Sequence, residues 1–247
     1  MGFYRYQAGL IHRHYNQEGG WDEHLRRCRE YILKAVKSFK PENVTILGSG
    51  WLLDLPLVEL TELVKRVILV DIVHPSEVIS QAGSLKSTDI REEDVTGGLI
   101  NEVWSKTRRY SFLRRMRDLT EITVPLYKPD FDPGMVISLN ILTQLENLPV
   151  EYLKKKSRAG EDQFSALRKE IQTKHIEFLK GHRSVLITDV QEVQNIKTGK
   201  TIVIPTLRTD IPAGDSKEEW TWDFDLKGSD YYNSRSVMKV MAMIFSK

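Results

Sequence analysis

Two glycines and two acids are the residues of this chain whose spacing suggests ligand chemistry. An apolar run at residues 44–47 leads into Gly48-Ser49-Gly50, and a second apolar run at residues 67–70 ends on Asp71. A strand, a glycine turn, a helix and an acid roughly 20 positions further on form the outline of a dinucleotide-binding βαβ unit. In that unit the glycines admit the ligand and the acid accepts hydrogen bonds from ribose hydroxyls. This stretch therefore predicts a nucleoside site.

Further polar residues follow the later predicted strands. Asp94 comes after a predicted strand at residues 86–90, and Asn140 ends the apolar run MVISLN. Ligands of open α/β sheets lie beyond the carboxyl ends of the parallel strands. Burying two acids there is costly without hydrogen-bond donors, which a ribose and an adenine amine supply. We therefore expect Asp71, Asp94 and Asn140 to face one cleft, although either acid could instead cap the helix that follows it.

The order of the elements predicts how these residues are positioned. Residues 1–20 are polar and aromatic and end in Gly19-Gly20, which favours an extended arm, and residues 21–39 carry a helical apolar stripe. Asp54 followed by Pro56 is a helix-start signal, in which the Asp54 side chain is expected to cap free backbone N–H groups. Alternating strands and helices then run to a buried strand at residues 184–189, and the last quarter is strand-like and antiparallel. We divide the chain into an N-terminal arm and helix (1–40), which caps one domain (41–247).

Taken in order, these elements resemble the class I S-adenosylmethionine-dependent methyltransferases over roughly residues 44–189. The resemblance implies a Rossmann-like fold with a doubly wound, mostly parallel, seven-stranded sheet, antiparallel C-terminal strands and an extra N-terminal helix. It implies S-adenosylmethionine as the cofactor. The NPPY-type motif of amino-group methylation is absent, and LNILTQL stands in its place. We therefore expect a small-molecule methyl acceptor.

Matching the family's motifs to this chain assigns the cofactor contacts. They are Gly48, Ser49 and Gly50 for the methionine and ribose, Asp71 and Ile72 for the ribose hydroxyls, Asp94 and Val95 for adenine, and Ser138 and Asn140 near the sulfonium. No dedicated catalytic motif is visible, which suits a reaction that depends on alignment and desolvation. Asn140 and Gln144 could orient the acceptor. His14 could act as a general base if the N-terminal arm folds over the cleft as a lid.

Two departures from the family pattern leave a different function open. Leu52 occupies the position of a further glycine, and Ile46 that of an acid two positions before the first glycine. A non-catalytic binding or scaffold protein that lost the cofactor is therefore one alternative. An RNA methyltransferase is the second, because the run at residues 106–117 is rich in arginine and KKKSR follows at residues 154–158. A helical run would place several of these arginines on an exposed face.

Composition narrows the partners and the compartment. A net charge of +2 creates no global field for nucleic acid or membrane, and no apolar run approaches the length of a membrane span. A single cysteine, Cys28, fits a reducing compartment, so we expect a cytoplasmic protein with no membrane partner. His12 and His14 lack a carboxylate or cysteine at a recognised metal-ligand spacing, so no metal site is predicted. His175 lies on the apolar face of a predicted helix and is expected to be a hydrogen-bonded core residue.

Overall fold

The computed structural model describes residues 2–111, 114–196, 199–228 and 234–246. One mixed sheet lies between two layers of helices. The helices are α1 (Phe3–Asn16), α2 (Asp22–Phe39), α3 (Leu57–Leu63), α4 (Ser76–Gly83), α5 (Leu99–Thr107), α6 (Asn147–Lys156) and α7 (Glu161–Lys180). The strands are β1 (Asn43–Leu47), β2 (Arg66–Asp71), β3 (Thr88–Glu92), β4 (Met135–Leu139), β5 (Ser184–Ile196), β6 (Thr201–Pro205), β7 (Asp215–Asp225) and β8 (Ser234–Phe245).

The strand order confirms the predicted doubly wound sheet. The main path runs β3-β2-β1-β4-β5-β8-β7, in which β1 to β5 are parallel and β8 and β7 are antiparallel. The chain therefore winds outward in both directions from the β1–β4 pair, which is the point where such sheets bind ligands. An eighth strand, β6, lies off this path and pairs only with the far half of β5. The described residues between β5 and β6, which leave out 197 and 198, contain no helix.

The central strands are buried on both faces, as their continuous apolar sequences indicate. In β1, Ile46 packs with α2 on one face of the sheet, whereas its neighbour Leu47 packs with the helices on the other face. In β2, Leu69 and Val70 divide in the same way. This alternation follows from the two-residue period of a strand. The parallel pairing of β1 to β5 brings the polar ends of these strands to one edge of the sheet.

The N-terminal segment is not the extended arm that its composition suggested. Residues Phe3–Asn16 form α1, and Gly19 and Gly20 belong to the turn that leads into α2. The signal for a helix was present, because Phe3, Tyr6 and Leu10 recur at the spacing of one helical face. These three residues line the cleft at the carboxyl edge of the sheet, which α1 therefore covers.

The basic run is also not a helix as a whole. Helix α5 ends at Thr107, and the described residues from 108 to 117 form turns and irregular backbone, with residues 112 and 113 outside the described part of the chain. Met116 forms a parallel bridge with Ser157. Within the described residues, none of the helices combines the length and the apolar character needed to cross a membrane.

The close approach of two loops before β1 and β4 gives a test of this fold. Gly134 has a φ of +59°, and a Cβ atom there would lie 2.3 Å from the carbonyl oxygen of Asn43. Gly134→Ala should lower the free energy of unfolding by about 2–4 kcal/mol, because it adds a clash to a left-handed backbone. Urea unfolding followed by circular dichroism measures the change.

Gly83→Ala is the matched control. A Cβ atom at Gly83, at the end of α4, meets nothing within 4 Å. Alanine is the better helix former, so this variant should be as stable as the parent or more stable by up to about 1 kcal/mol. Equal destabilisation by both substitutions would contradict the described packing of Gly134.

Candidate functional site

A cleft opens at the carboxyl edge of the sheet, where the strand order reverses between β1 and β4. Its base is formed by Gly48, Ser49 and Gly50 after β1, by Asp71 and Ile72 at the end of β2, by Asp94 and Val95 after β3, and by Asn140 after β4. Helix α1 covers it. Eight of the nine residues that the resemblance assigns to the cofactor thus line one cleft, and Gln144 lines it as well.

The carboxylate of Asp71 is buried at the base of the cleft. The residue is only 5 % exposed to solvent. One carboxylate oxygen accepts a hydrogen bond from the backbone N–H of Gly50 at 2.9 Å, and the other accepts from the N–H of Ile72 at 2.8 Å. Burial nevertheless raises the pKa of Asp71 to about 6, and these donors, with the side chain of Gln7, only partly offset that rise.

The two glycines of the loop have different roles. Gly48 has a φ of +83°, and a Cβ atom there would lie 2.7 Å from Cβ of Ile141, so packing against the β4 end requires glycine. Gly50 has a φ of +48°, and the nearest atom to its would-be Cβ is 3.9 Å away. Only Gly50 therefore leaves open space over the backbone, as a ligand-binding glycine does.

Leu52 adopts the backbone conformation that a glycine would take with least strain. Its φ is +59°, which is rare for a non-glycine residue. Its side chain is 6 % exposed and packs in the core beside α2, outside the cleft. Leu52 therefore does not obstruct the cleft. The neighbouring Trp51 does line it, and its indole N–H donates to the carbonyl oxygen of Gln7 at 2.9 Å, which joins the loop to α1.

Ser49 fixes the loop to the segment after β2. Its hydroxyl lies 2.9 Å from Nε2 of His74, and both side chains are buried. Burial lowers the pKa of His74, which favours the neutral imidazole. The pair therefore serves to hold the glycine loop in place.

Asp94 obtains its hydrogen-bond donors locally, rather than requiring a ligand as its position suggested. One oxygen accepts from the N–H of Thr96 at 3.0 Å, and the other accepts from the N–H of Ile100 at 3.0 Å in the first turn of α5. Asp94 thus satisfies orphan donors at that helix start. Val95 is buried and lines the cleft beside it.

Asn140 belongs to a buried polar cluster at the β4 end of the cleft. The residue is 8 % exposed and has a φ of +50°. Its side-chain nitrogen lies 2.7 Å from Oδ2 of Asp54 and 3.1 Å from Nε2 of His24. The predicted capping role of Asp54 is wrong, because α3 follows Pro56 without a side-chain cap, and the carboxyl group turns to Asn140 instead.

Aromatic residues from β7 hold His24 in place. The indole N–H of Trp220 donates to Nδ1 of His24 at 3.0 Å, and the ring of Trp222 stacks on the imidazole at 3.9 Å between centroids. Burial lowers the pKa of His24 to about 3, so the ring stays neutral. His24 and Trp222 also line the cleft. No signal in the sequence marked His24 as a cleft residue, whereas the alternation of Trp220, Trp222 and Phe224 favoured core packing and left a substrate wall open.

Two assigned residues do not reach the cleft. Ser138 is fully buried within β4, and its hydroxyl lies 2.8 Å from Nε2 of His175, which confirms His175 as a hydrogen-bonded core residue. His14 packs against Trp21 with ring centroids 5.3 Å apart and does not line the cleft. The helical geometry of α1 explains this, because Gln7 and Leu10 face the cleft and His14 lies a turn further on. Gln144 does line it and donates to the carbonyl oxygen of Asn140.

The raised pKa of Asp71 predicts a pH dependence of stability. The folded protein holds this proton more tightly than the unfolded chain, whose aspartate pKa is about 3.9, so the stabilising contribution is complete below about pH 4 and is lost as pH rises through about 6. The difference in unfolding free energy between the parent and Asp71→Asn should change by up to about 3 kcal/mol across this window. Urea unfolding at several pH values measures this change. A difference that stays constant with pH would contradict the raised pKa of Asp71. Glu62→Gln, at an exposed position of α3, is the control variant.

Known proteins offer only distant similarity. No family model and no curated protein matches the chain. Its structure is similar to that of DhpI in an SAH complex, with a TM-score of 0.33 and 14% identity over 97% of this chain and 99% of that one. It is also similar to the N-methyltransferase NodS from Bradyrhizobium japonicum WM9 in complex with S-adenosyl-L-homocysteine (TM-score 0.36, 10% identity, 88% and 86% of the two chains). A third is the methyltransferase domain of bacterial CtHen1 (0.32, 13%, 89% and 98%). These values are low, and the assignment of the fold therefore rests on the strand order and register of this chain.

Proposed function

We propose that this chain is an S-adenosylmethionine-dependent methyltransferase that acts on a small-molecule acceptor. The observation that carries the proposal is the buried carboxylate of Asp71, which lies at the end of β2 and is bonded to the open backbone of Gly50. An acid at this strand end, beside a glycine with free space over it, is the arrangement that binds a ribose in doubly wound sheets.

An unpartnered group of the cleft fits this cofactor. Oε1 of Gln7 is buried and has no hydrogen-bond partner among the described residues, and its side chain lines the cleft. A buried acceptor without a donor is costly, so a ligand that brings hydroxyl or ammonium donors would relieve it. S-adenosylmethionine carries both kinds of donor.

Each part of the cofactor has candidate residues in the cleft. Asp71 and Ile72 would hold the ribose, and Val95 would pack on adenine beside Asp94. Both carboxylates can accept further hydrogen bonds, since an ionised carboxylate offers about four acceptor positions. Gly50 would lie under the methionine part. Leu52, which stands at the position of a further glycine in the family pattern, packs in the core outside the cleft.

The contribution of the chain to catalysis would be alignment and exclusion of water. When bound, the cofactor supplies a methyl group activated by its sulfonium. Helix α1 covers the cleft with Phe3, Tyr6 and Leu10, and Tyr6 is tied to α6 by a 3.1 Å hydrogen bond from Asn147. Such enclosure orients reactants and removes solvent, which together lower the barrier without a dedicated catalytic group.

Thermal unfolding with S-adenosylhomocysteine tests the proposal. At about 100 times the dissociation constant the ligand should add about 2.7 kcal/mol to the unfolding free energy, which corresponds to roughly 5–10 °C in Tm. Asp71→Ala should remove this shift. Glu62→Ala, which removes an exposed acid from α3, should keep it.

The alternative of a non-catalytic protein makes the opposite prediction. A folded chain whose Tm does not move at millimolar S-adenosylhomocysteine would overturn the proposed function and favour a binding or scaffold role. A shift that survives Asp71→Ala would place the ligand outside the described cleft.

RNA as the substrate is a second candidate, and one contact favours it. The bridge between Met116 and Ser157 joins the two basic segments, with Met116 N–H donating to Lys156 and Arg158 N–H donating to Met116, each at 2.9 Å. Exposed cations from both segments therefore lie close together, namely Arg114, Arg117, Lys154, Lys155 and Arg158. Nearby Trp104 is 54% exposed and could stack on a base.

Binding to bulk tRNA at several salt concentrations tests this candidate. An RNA-binding surface should lose affinity steeply with salt, and Arg114→Glu/Arg117→Glu should reduce the slope of log affinity against log salt by about 1–2. Lys37→Glu/Lys180→Glu, which removes two exposed cations elsewhere, is the control. The absence of tRNA binding at low salt would exclude RNA as the substrate.

A further inference from the structure

Gln7 of α1 lies in the part of the cleft that the proposed cofactor needs. Its side chain lines the cleft, and Oε1 lies 4.0 Å from the position that a Cβ atom would take on Gly50. The amide of Gln7 is therefore placed over the backbone of Gly50. Oε1 is buried and has no hydrogen-bond partner among the described residues, so the contact that keeps the amide at this place comes from its nitrogen.

The nitrogen of this amide bonds to Asp71. The Asp71 carboxylate accepts from the N–H groups of Gly50 and Ile72, and the backbone of Val73 and the side chain of Gln7 add further hydrogen bonds. An ionised carboxylate offers about four acceptor positions, so these donors leave little capacity for the two hydroxyls of a ribose. Three of the donors belong to the backbone at the ends of β1 and β2. Gln7 is the donor of this group that a ligand can displace without disturbing a strand end.

The two ends of α1 are held to the fold in different ways. At the C-terminal end, the buried side chain of Gln17 donates to Asp225 at 3.1 Å and accepts from the N–H of Leu226 at 2.8 Å. The N-terminal half rests on the cleft through hydrogen bonds that Trp51 and Asn147 donate to it. This half can therefore leave the cleft while the other end of the helix stays fastened to the end of β7.

Gly9 lies between Gln7 and the fastened end of α1. It is exposed, and a Cβ atom there would meet nothing within 4 Å, so packing does not require a glycine at this position. Glycine inside a helix disfavours the helical state relative to alanine. Gly9 therefore weakens α1 at the junction between the half that covers the cleft and the end that is fastened to β7.

We propose that α1 is an autoinhibitory lid, in which the amide of Gln7 takes the place of the cofactor ribose on Asp71. The cofactor enters when the N-terminal half of α1 bends away at Gly9 and releases Asp71. Helix α1 then closes over the bound cofactor, with the amide of Gln7 displaced from the carboxylate. The identity of the displacing ligand as S-adenosylmethionine rests on the proposed function, whereas the contact of Gln7 with Asp71 does not.

Such a lid lowers the affinity for the cofactor by competition. The apparent affinity of a ligand falls in proportion to the fraction of the protein that is able to bind it, so each contact that favours the closed lid before the cofactor enters weakens binding. Removal of the Gln7 side chain should therefore tighten binding. Removal of a side chain that contacts the cofactor would do the opposite, and the sign of the effect distinguishes the two roles.

Calorimetric titration with S-adenosylhomocysteine measures this sign. Gln7→Ala should bind about tenfold more tightly than the parent, because a hydrogen bond to a carboxylate is lost only from the closed lid. Arg5→Ala is the matched control, since Arg5 is exposed on the same helix and does not line the cleft, and its affinity should stay within about twofold of the parent. Equal or weaker binding by Gln7→Ala would overturn the proposal.

Gly9→Ala tests the opening of the lid. Alanine strengthens the helix without a new contact, so the N-terminal half should open less often and S-adenosylhomocysteine should associate up to about fivefold more slowly. Stopped-flow tryptophan fluorescence follows the association, with Trp51 as the reporter in the cleft. Gly83→Ala, which makes the same change in α4, should leave the rate unchanged. An unchanged or faster rate in Gly9→Ala would contradict bending at Gly9.

Hydrogen exchange without any ligand separates the lid from the proposed function. The backbone amides of residues 7–12 should exchange faster in Gln7→Ala than in the parent and more slowly in Gly9→Ala, because each change alters the opening of α1. Equal exchange in all three proteins would overturn the lid. Exchange as expected, combined with a failure of both the parent and Gln7→Ala to bind S-adenosylhomocysteine, would support the lid and overturn the proposed function.

Discussion

The hydrogen bond from the backbone of Gly50 to the carboxylate of Asp71 is the constraint on which the site depends. It joins the loop after β1 to the end of β2, and it continues a ladder in which the N–H of Gly48 donates to the carbonyl of Val70. Placing the carboxylate there is costly, as the raised pKa of Asp71 shows. Buried ionisable groups that lower the stability of the fold are common at functional sites, where they provide unusual reactivity or affinity.

Contacts between α2 and β7 form the wall of the cleft at its β4 end. Helix α2 is fastened to β7 by the hydroxyl of Tyr31, which donates to the carbonyl of Ser216 at 2.7 Å. The indole of Trp21 donates to the carbonyl of Phe224 at 3.0 Å in the same strand. These contacts bring the N-terminal helices and the antiparallel edge of the sheet together over the β4 end of the cleft. The wall of the site is therefore built from segments about 200 residues apart in sequence.

The sequence predicted those features that depend on short-range patterns. Apolar runs that end on Asp71 and Asn140 located strand ends, and parallel pairing then brought these ends to one cleft. For Asp94 the sequence left two roles open, a ligand contact or a cap of the next helix, because the backbone N–H groups of that helix become donors only when the loop takes its folded path. The partner of Asp54 lies 86 positions away and could not be inferred from a helix-start motif.

The N-terminal helix shows a different limit of prediction. Its aromatic residues have helical spacing, yet their polar surroundings and the following glycines favoured an extended arm. The face formed by Phe3, Tyr6 and Leu10 indicates a helix only if there is a surface for it to pack on. That surface is the cleft, which forms only in the folded chain. For the basic run the error was the opposite one. Its composition was compatible with a helix, whereas the bridge between Met116 and Ser157 requires extended backbone.

Leu52 separates two properties that sequence comparison treats as one. Methods that detect distant kinship score the identity of the side chain, whereas the loop selects a backbone angle. At this position the backbone has the left-handed angle that favours glycine, yet the residue is leucine, whose side chain is buried in the core. A loop can therefore have the geometry that a glycine would give although its sequence shows no glycine.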